Sequence, residues 1–207
     1  MRYKELQTDG AGLLIWEITE TVSELMQELP NFEHYQSDFE KHKTNKRQLE
    51  FLAARVAFKQ LVGIHELITY NTDGKPICES NNYQLSITHT SKWVAVLVHP
   101  TCEVGIDIET PSTRFSTLYT RFLNKNEQEY LVDLNNLLKI QLAWSAKEAL
   151  YKIIGLQAVD FVTQLEIQNF NLAAEGQFIG THTPTKINFS LNYQVHDHFN
   201  LVYCIKK

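Results

Sequence analysis

The stretch VGIDIE, residues Val104–Glu109, predicts a short strand around which the rest of the chain can be understood. Its apolar residues alternate with Gly105, Asp107 and Glu109, and the two-residue period of a strand places these three on one face. Because glycine has no side chain, we expect this face to leave room for a ligand beside the two carboxylates.

A second stretch, WSAKEALYK at Trp144–Lys152, predicts a helix. Trp144, Glu148 and Tyr151 recur at three- and four-residue spacings, and Lys152 follows Glu148 by one turn. Together the two stretches offer three carboxylates on separate rigid elements. Mg²⁺ prefers such oxygen ligands and commonly shares them with substrate phosphates, so the pair of stretches indicates a metal-assisted reaction at a phosphate.

Each pattern taken alone also fits an ordinary protein surface. Asp107 and Glu109 could face solvent on an edge strand, as charged residues usually do. Glu148 and Lys152 could form a simple ion pair on an exposed helix face. The order, spacing and chemical type of the residues in combination favour a functional site.

The composition is that of an ordinary globular protein, with 207 residues, 43% hydrophobic and 21% charged. A net charge of −5 disfavours nucleic acid as a partner, because binding to the phosphate backbone requires a basic face. The apolar run Leu13–Trp16 is too short for a signal sequence or a membrane span. We therefore expect a cytoplasmic protein that has no membrane partner.

Hydrophobic periodicity and turn residues predict alternating groups of helices and strands. The predicted strands are Leu13–Ile18, Tyr83–Thr90, Trp93–Val98, Val104–Glu109, Phe161–Phe170, Gln177–Gly180, Ile187–Val195 and Phe199–Ile205. The predicted helices are Val22–Leu29, Asn31–Phe39, Lys46–Leu61, Glu127–Leu138 and Ile140–Gly155. The pattern breaks at His99–Cys102, so we predict an α+β protein of two similar α/β halves, residues 1–100 and 101–207.

The two stretches, in this order, resemble the two-part signature of the 4′-phosphopantetheinyl transferases. Glu148 follows Asp107 by 41 positions, slightly fewer than is usual in that family. Two upstream segments, Asp73–Pro76 (DGKP) and Leu85–Thr90 (LSITHT), resemble further motifs of the family, although Ser86 stands where the family often has asparagine. The resemblance covers most of residues 45–155.

This resemblance implies a fold and a reaction. The chain length is similar to that of the surfactin-synthetase-activating type, in which two halves form a monomeric intramolecular pseudodimer with one site in the cleft between them. The implied reaction transfers 4′-phosphopantetheine from coenzyme A to a serine hydroxyl of an apo acyl or peptidyl carrier protein. It depends on Mg²⁺ and releases 3′,5′-ADP.

The resemblance also implies roles for individual positions. The metal ligands are Asp107, Glu109 and Glu148, and the catalytic set adds Lys152. Coenzyme A contacts fall on Arg47, Lys75, Pro76, Thr88, His89, Lys147 and Lys152. Two further assignments stay open: Glu127 as an additional acidic group near the metal, and Arg55 as an additional contact to coenzyme A.

Several alternatives remain at this stage. The base that removes the serine proton is either Glu148, our first choice, or a water near the metal that acts through Glu109. The protein could instead be a non-catalytic homologue that binds coenzyme A or a carrier protein. A metal-dependent phosphodiesterase is the third possibility, and the acidic net charge disfavours a nucleic-acid substrate for it. The sequence does not identify the carrier protein.

Overall fold

The computed structural model describes residues 1–155 and 159–206. The chain divides into two compact units, Met1–Thr101 (the first unit) and Cys102–Lys207 (the second unit). Both units combine helices with antiparallel sheets, which confirms the predicted α+β class. Within the described residues, no helix combines the length and the apolar character that crossing a bilayer requires.

The first unit builds a four-stranded antiparallel sheet with the strand order β1-β2-β6-β5. Its elements are β1 (Arg2–Thr8), β2 (Ala11–Glu17), α1 (Val22–Gln27), α2 (Gln36–Phe39), α3 (Asn45–Val62), β3 (Ile68–Tyr70), β4 (Pro76–Cys78), β5 (Gln84–Thr90) and β6 (Trp93–His99). A 3₁₀ turn at Phe32–Tyr35 leads into α2, and β3 pairs with β4 as a separate ribbon. The long helix α3 packs on β2 and β6 and closes the hydrophobic core of this unit.

The second unit builds a five-stranded antiparallel sheet with the strand order β7-β11-β10-β9-β8. Its elements are β7 (Val104–Glu109), α4 (Phe115–Leu118), α5 (Lys125–Leu131), α6 (Leu138–Ile154), β8 (Leu165–Ile167), β9 (Glu175–His182), β10 (Ile187–Val195) and β11 (Asn200–Ile205). A 3₁₀ turn at Tyr119–Arg121 follows α4. The long helix α6 packs on β7 and β11.

The two units share one feature of connectivity. In each, the strand that precedes the helices pairs antiparallel with the last strand of the unit: β2 with β6, and β7 with β11. In each, one long helix lies against that strand pair. The strands on either side differ in number and order.

The ends of the two long helices follow from local sequence. The Thr44 hydroxyl accepts a hydrogen bond from the backbone N–H of Arg47 at 3.3 Å and caps the start of α3. Gly63 and Gly155 end α3 and α6 with φ values of +98° and +65°, which glycine adopts at little cost. Both helices were predicted within a few residues of their observed bounds.

The structure differs from the predicted elements in several places. The predicted helix Glu127–Leu138 ends at Leu131, because Val132 is extended and the Asp133 carboxylate accepts a hydrogen bond from the backbone of Asn135, forming a turn. The predicted strand Phe161–Phe170 is reduced to Leu165–Ile167, because Asp160 organises a turn ahead of it. Strand β1 was not predicted, since its mostly exposed residues lack an apolar face.

Candidate functional site

The contact between β7 and α6 determines the architecture of the candidate site. A Cβ atom built on Gly105 would lie only 2.0 Å from the backbone oxygen of Ala149, so the helix packs directly on the glycine. The expectation that Gly105 leaves room for a ligand is therefore wrong, because the space is filled by α6. The glycine instead lets the helix approach the strand closely, beside Asp107 and Glu109.

Asp107, Glu109 and Glu148 form what we call the carboxylate cluster, and their ionisations influence one another. Burial and then the Asp107 carboxylate raise the pKa of Glu148 to about 7, with a smaller contribution from Glu109 and an opposing one from Lys152. Burial and then Asp107 also raise the pKa of Glu109. The structure thus brings the three carboxylates predicted from the sequence into one electrostatic neighbourhood.

The donor atoms of this cluster suit a hard divalent cation, since all are carboxylate oxygens. As the side chains stand, the described residues contain no group of three or more His, Cys, Asp or Glu close enough together to hold a metal ion. The chemistry of the donors therefore fits Mg²⁺, while this arrangement of the side chains is not a preformed ligand cage.

Lys152 is the cation that contacts Asp107. Its Nζ donates to the backbone oxygen of Ile106 at 2.7 Å and to Oδ1 of Asp107 at 3.2 Å. Asp107 is 7% exposed, and the Lys152 side chain is 24% exposed. The ammonium group therefore sits at the edge of the cluster and can be reached from solvent.

Glu109 is held by two donors that the sequence analysis did not assign to it. Nη2 of Arg114 lies 2.6 Å from Oε1 of Glu109, and Nε1 of Trp144 donates to the same oxygen at 3.0 Å. Trp144 packs among the rings of Phe115, Phe122 and Phe161. The helical spacing singled out Trp144 but did not indicate that its partner is Glu109. Arg114 follows Glu109 by five positions, in the loop after β7, and no sequence pattern predicted their ion pair.

Lys147 lies away from the cluster, contrary to the expectation that it contacts coenzyme A. Its side chain is fully buried, and Nζ contacts the backbone oxygens of Phe122, Phe161 and Leu165 and the Glu127 carboxylate, at 2.7–2.8 Å. These four acceptors occupy an ammonium group that has three hydrogens to donate. Lys147 is therefore a structural residue.

Glu127 is also fully buried and pairs with Lys147. Its position does not support the open assignment of Glu127 to the metal site. Its carboxylate accepts hydrogen bonds from the backbone of Asn124 and Ile167, both at 2.8 Å, and pairs with Lys147. The bond to Asn124 completes a capping box at the start of α5. Glu127 ties α5, α6 and β8 together.

A cavity of about 550 Å³ opens beside Glu148 in the second unit, and we call it the aromatic cavity. Its walls combine aromatic and aliphatic side chains with two arginines. The lining residues are Arg114, Phe115, Leu118, Arg121, Phe122, Trp144, Glu148, Val159, Asp160, Phe161 and Val162. An apolar organic group could lie here, next to the carboxylate cluster.

The first unit contains a smaller cavity of about 220 Å³, which we call the basic cavity. Three residues predicted to contact coenzyme A line it, namely Arg47, Pro76 and His89. Nη1 of Arg47 lies 3.3 Å from Nε2 of His89, across 42 positions of sequence. The structure therefore brings these predicted residues together on α3, β4 and β5.

Glu50 is the residue of the basic cavity that the sequence analysis missed. It is 3% exposed, and its Oε2 accepts from Nη1 of Arg47 at 2.9 Å and lies 3.6 Å from Nδ1 of His89. A buried carboxylate between two basic groups fixes their orientation. The sequence does place Glu50 one turn after Arg47 on a mostly apolar helix face, and a charged residue at such a position could have indicated a buried partner.

The remaining predicted residues of the first unit lie in different surroundings. Thr88 is buried on the face of β5 opposite to Ile87 and His89, and it does not line the basic cavity. Lys75 is half-buried in the turn before β4, also outside the lining of that cavity. Arg55 does line the cavity, with its guanidinium carbon 3.2 Å from the ring centroid of Phe51.

Comparison with known proteins bears on the second unit. A search of curated proteins found no significant match. The sequence model of one family, described as the 4′-phosphopantetheinyl transferase superfamily, matches residues 103–204. This range contains β7, α6 and the whole carboxylate cluster. The match over residues 103–204 supports the assignment of this protein to the 4′-phosphopantetheinyl transferase superfamily.

Proposed function

We propose that the protein transfers the 4′-phosphopantetheine group of coenzyme A to a serine hydroxyl of an apo acyl or peptidyl carrier protein, with release of 3′,5′-ADP. The family match supports phosphopantetheine transfer in general. The observation that carries the proposal is the position of Glu148, a carboxylate with a pKa of about 7, beside Asp107 and next to Lys152.

Asp107, Glu109 and Glu148 are the residues that would hold Mg²⁺. They offer carboxylate oxygens only, which is the donor chemistry that Mg²⁺ prefers. When bound, the cation would offset negative charge on the pyrophosphate of coenzyme A and on the leaving 3′,5′-ADP. Lys152, whose ammonium already lies at the edge of the cluster, would contact the same phosphate oxygens.

Glu148 is our candidate for the general base. A base works best when its pKa lies near the working pH, and in the metal-free protein burial together with Asp107 brings the pKa of Glu148 to about 7, a value that a bound cation would lower. The serine oxygen attacks the phosphorus that carries pantetheine, the P–O bond to 3′,5′-ADP breaks, and the hydroxyl proton passes to Glu148. Transfer through a water that acts via Glu109 is the alternative.

The first unit would bind the nucleotide end of coenzyme A. Arg47 and His89 are basic, face one cavity and are oriented by Glu50, so they suit the 3′-phosphate. Pro76 at the rim of that cavity is the proposed neighbour of adenine. Lys75 is proposed as a further contact, whereas Thr88 would need to act through its backbone, because its side chain lies on the other face of β5.

We also propose that the protein is a cytoplasmic monomer whose two units form an intramolecular pseudodimer, one unit spanning residues 1–100 and the other 101–207. The support is the shared connectivity of β2 with β6 and of β7 with β11. The carrier protein, coenzyme A and Mg²⁺ are the proposed partners.

A carrier-dependent assay tests the proposal. The protein is incubated with coenzyme A, Mg²⁺ and an apo acyl carrier protein, and release of 3′,5′-ADP is followed by chromatography. We expect release that requires the carrier and stops with EDTA. Release that needs no carrier would favour a phosphodiesterase, and binding of coenzyme A without any release would favour a non-catalytic homologue.

A further inference from the structure

Arg114 occupies an unusual position for a basic residue beside a proposed metal site. It directly precedes α4, and its Nη2 lies 2.6 Å from Oε1 of Glu109. The guanidinium carbon lies 4.8 Å from the ring centroid of Phe115. The Arg114 side chain is 49% exposed, whereas that of Glu109 is 15% exposed. The cation therefore reaches the carboxylate from the solvent side.

The oxygen that Arg114 contacts already has a second donor. Trp144 Nε1 donates to the same Oε1 at 3.0 Å. A carboxylate oxygen has two lone pairs, so these two donors use its capacity in the carboxylate plane. A cation that coordinates this oxygen must displace one of them, and the half-exposed Arg114 can move more easily than Trp144, which is packed among three phenylalanine rings.

Arg114 also supplies positive charge where negative charge accumulates. Glu109 lies within electrostatic reach of Asp107 and Glu148, which have the same charge when ionised. Lys152 contacts Asp107, and Arg114 contacts Glu109. Two cationic side chains thus hold two of the three carboxylates that would bind Mg²⁺.

We propose that Arg114 is a positioning residue that holds Glu109 in the metal-free protein and is displaced from it when a divalent cation in the carboxylate cluster takes Oε1 of Glu109 as a ligand. The proposal rests on the function given above, because it takes Glu109 as a metal ligand. In this proposal the guanidinium of Arg114 and the metal compete for Oε1 of Glu109.

The direction of the effect distinguishes this role from a simply structural one. If Arg114 competes with the metal, Arg114→Gln should bind the metal more tightly than the parent protein. If Arg114 only preserved the shape of the site, its loss should weaken metal binding. We expect an increase of about two- to fivefold, the range that one solvent-exposed ion pair accounts for.

The test measures Mn²⁺ affinity by electron paramagnetic resonance, without coenzyme A or carrier protein, and is repeated with Mg²⁺ by calorimetry. Arg121→Gln is the matched control, since Arg121 lines the same aromatic cavity and loses the same charge. Among the contacts described for the second unit, Arg121 makes no ion pair with Glu109. Arg114→Lys, which keeps the charge, should return the affinity towards that of the parent.

Thermal unfolding gives a second readout. Arg114→Gln should melt at a lower temperature than the parent without metal, and saturating Mg²⁺ should reduce the difference. Two results would overturn the role of Arg114 and leave the metal assignment intact. One is that Arg114→Gln binds Mn²⁺ no more tightly than the parent, and the other is that Arg114→Gln and Arg121→Gln gain the same Mn²⁺ affinity. Both this proposal and the metal assignment would fail if the parent bound no Mn²⁺, or if Asp107→Ala bound Mn²⁺ as tightly as the parent.

Discussion

Nζ of Lys147 lies 2.7 Å from Oε2 of Glu127, and both side chains are fully withdrawn from solvent. The pair joins α6 to α5, and Glu127 extends the link to β8 through the backbone of Ile167. Helix α6 therefore uses two of its lysines, five positions apart, in different ways: Lys147 holds the core of the second unit, and Lys152 contacts the carboxylate cluster.

This division predicts a stability defect for Lys147→Ala. The substitution leaves the Glu127 carboxylate buried without its cationic partner, which typically costs about 3–5 kcal/mol of unfolding free energy. Urea denaturation without ligands measures it. The control is Lys152→Ala, whose side chain is 24% exposed and whose removal should cost much less. A Lys147→Ala protein of parental stability with weakened coenzyme A binding would restore the role predicted from the sequence.

The close approach of α6 to β7 predicts that Gly105→Ala is strongly destabilising. The new methyl group would meet the backbone oxygen of Ala149, which cannot move without the helix. We expect a loss of about 1–3 kcal/mol or more, as for other overpacked cores. Gly12→Ala is the control, because its new methyl group would meet side-chain atoms and no backbone: Leu61 at 3.1 Å, Val98 at 3.4 Å and Gln7 at 3.5 Å. Equal costs for both would contradict the account of Gly105.

The pKa of Glu148 predicts how stability depends on pH. This pKa is about 7 in the folded protein, against an ordinary value of 4.5. Between these values the folded state binds more protons at this group than the unfolded state does, so its contribution to stability falls as pH rises from about 4.5 through 7. Without metal, the stability of Glu148→Gln should therefore decrease less between pH 5 and pH 8 than that of the parent. The urea midpoints of both proteins at the two pH values measure this. An unchanged pH dependence would show that Glu148 titrates normally.

The basic cavity predicts a selective defect in coenzyme A binding. His89→Ala should raise the KM for coenzyme A and reduce the preference for coenzyme A over its 3′-dephospho form, because the 3′-phosphate is the group that Arg47 and His89 would contact. Glu50→Gln should have the same effect in weaker form, since it loosens both basic groups. Thr90→Ala on the same strand is the control. An undiminished preference in His89→Ala would remove His89 from the site.

The sequence was informative where a pattern repeats along one element. Alternation in Val104–Glu109 predicted β7 and the shared face of Asp107 and Glu109, and helical spacing predicted α6 with Glu148 and Lys152 one turn apart. The long helix α3 with Arg47 was predicted in the same way. These features depend on local periodicity, which a single sequence contains.

The sequence was uninformative where the role of a residue depends on a distant partner. A glycine in a strand makes room equally for a ligand or for a helix, so only the contact with Ala149 revealed the role of Gly105. Helix α6 is buried on most sides, and periodicity alone could not separate Lys147 from Lys152. Arg114 is identified by its bond to Glu109, which depends on a loop whose path no periodic pattern specifies.

The most direct test of the central claim is intact-protein mass spectrometry of an apo acyl carrier protein after incubation with coenzyme A, Mg²⁺ and either the parent protein or Asp107→Ala. Asp107 belongs to the cluster and not to the hydrophobic core, so the variant should fold. The account predicts that the carrier gains one phosphopantetheine group with the parent and none with the variant. Equal modification by a folded Asp107→Ala protein would contradict the claim that the carboxylate cluster carries out the transfer.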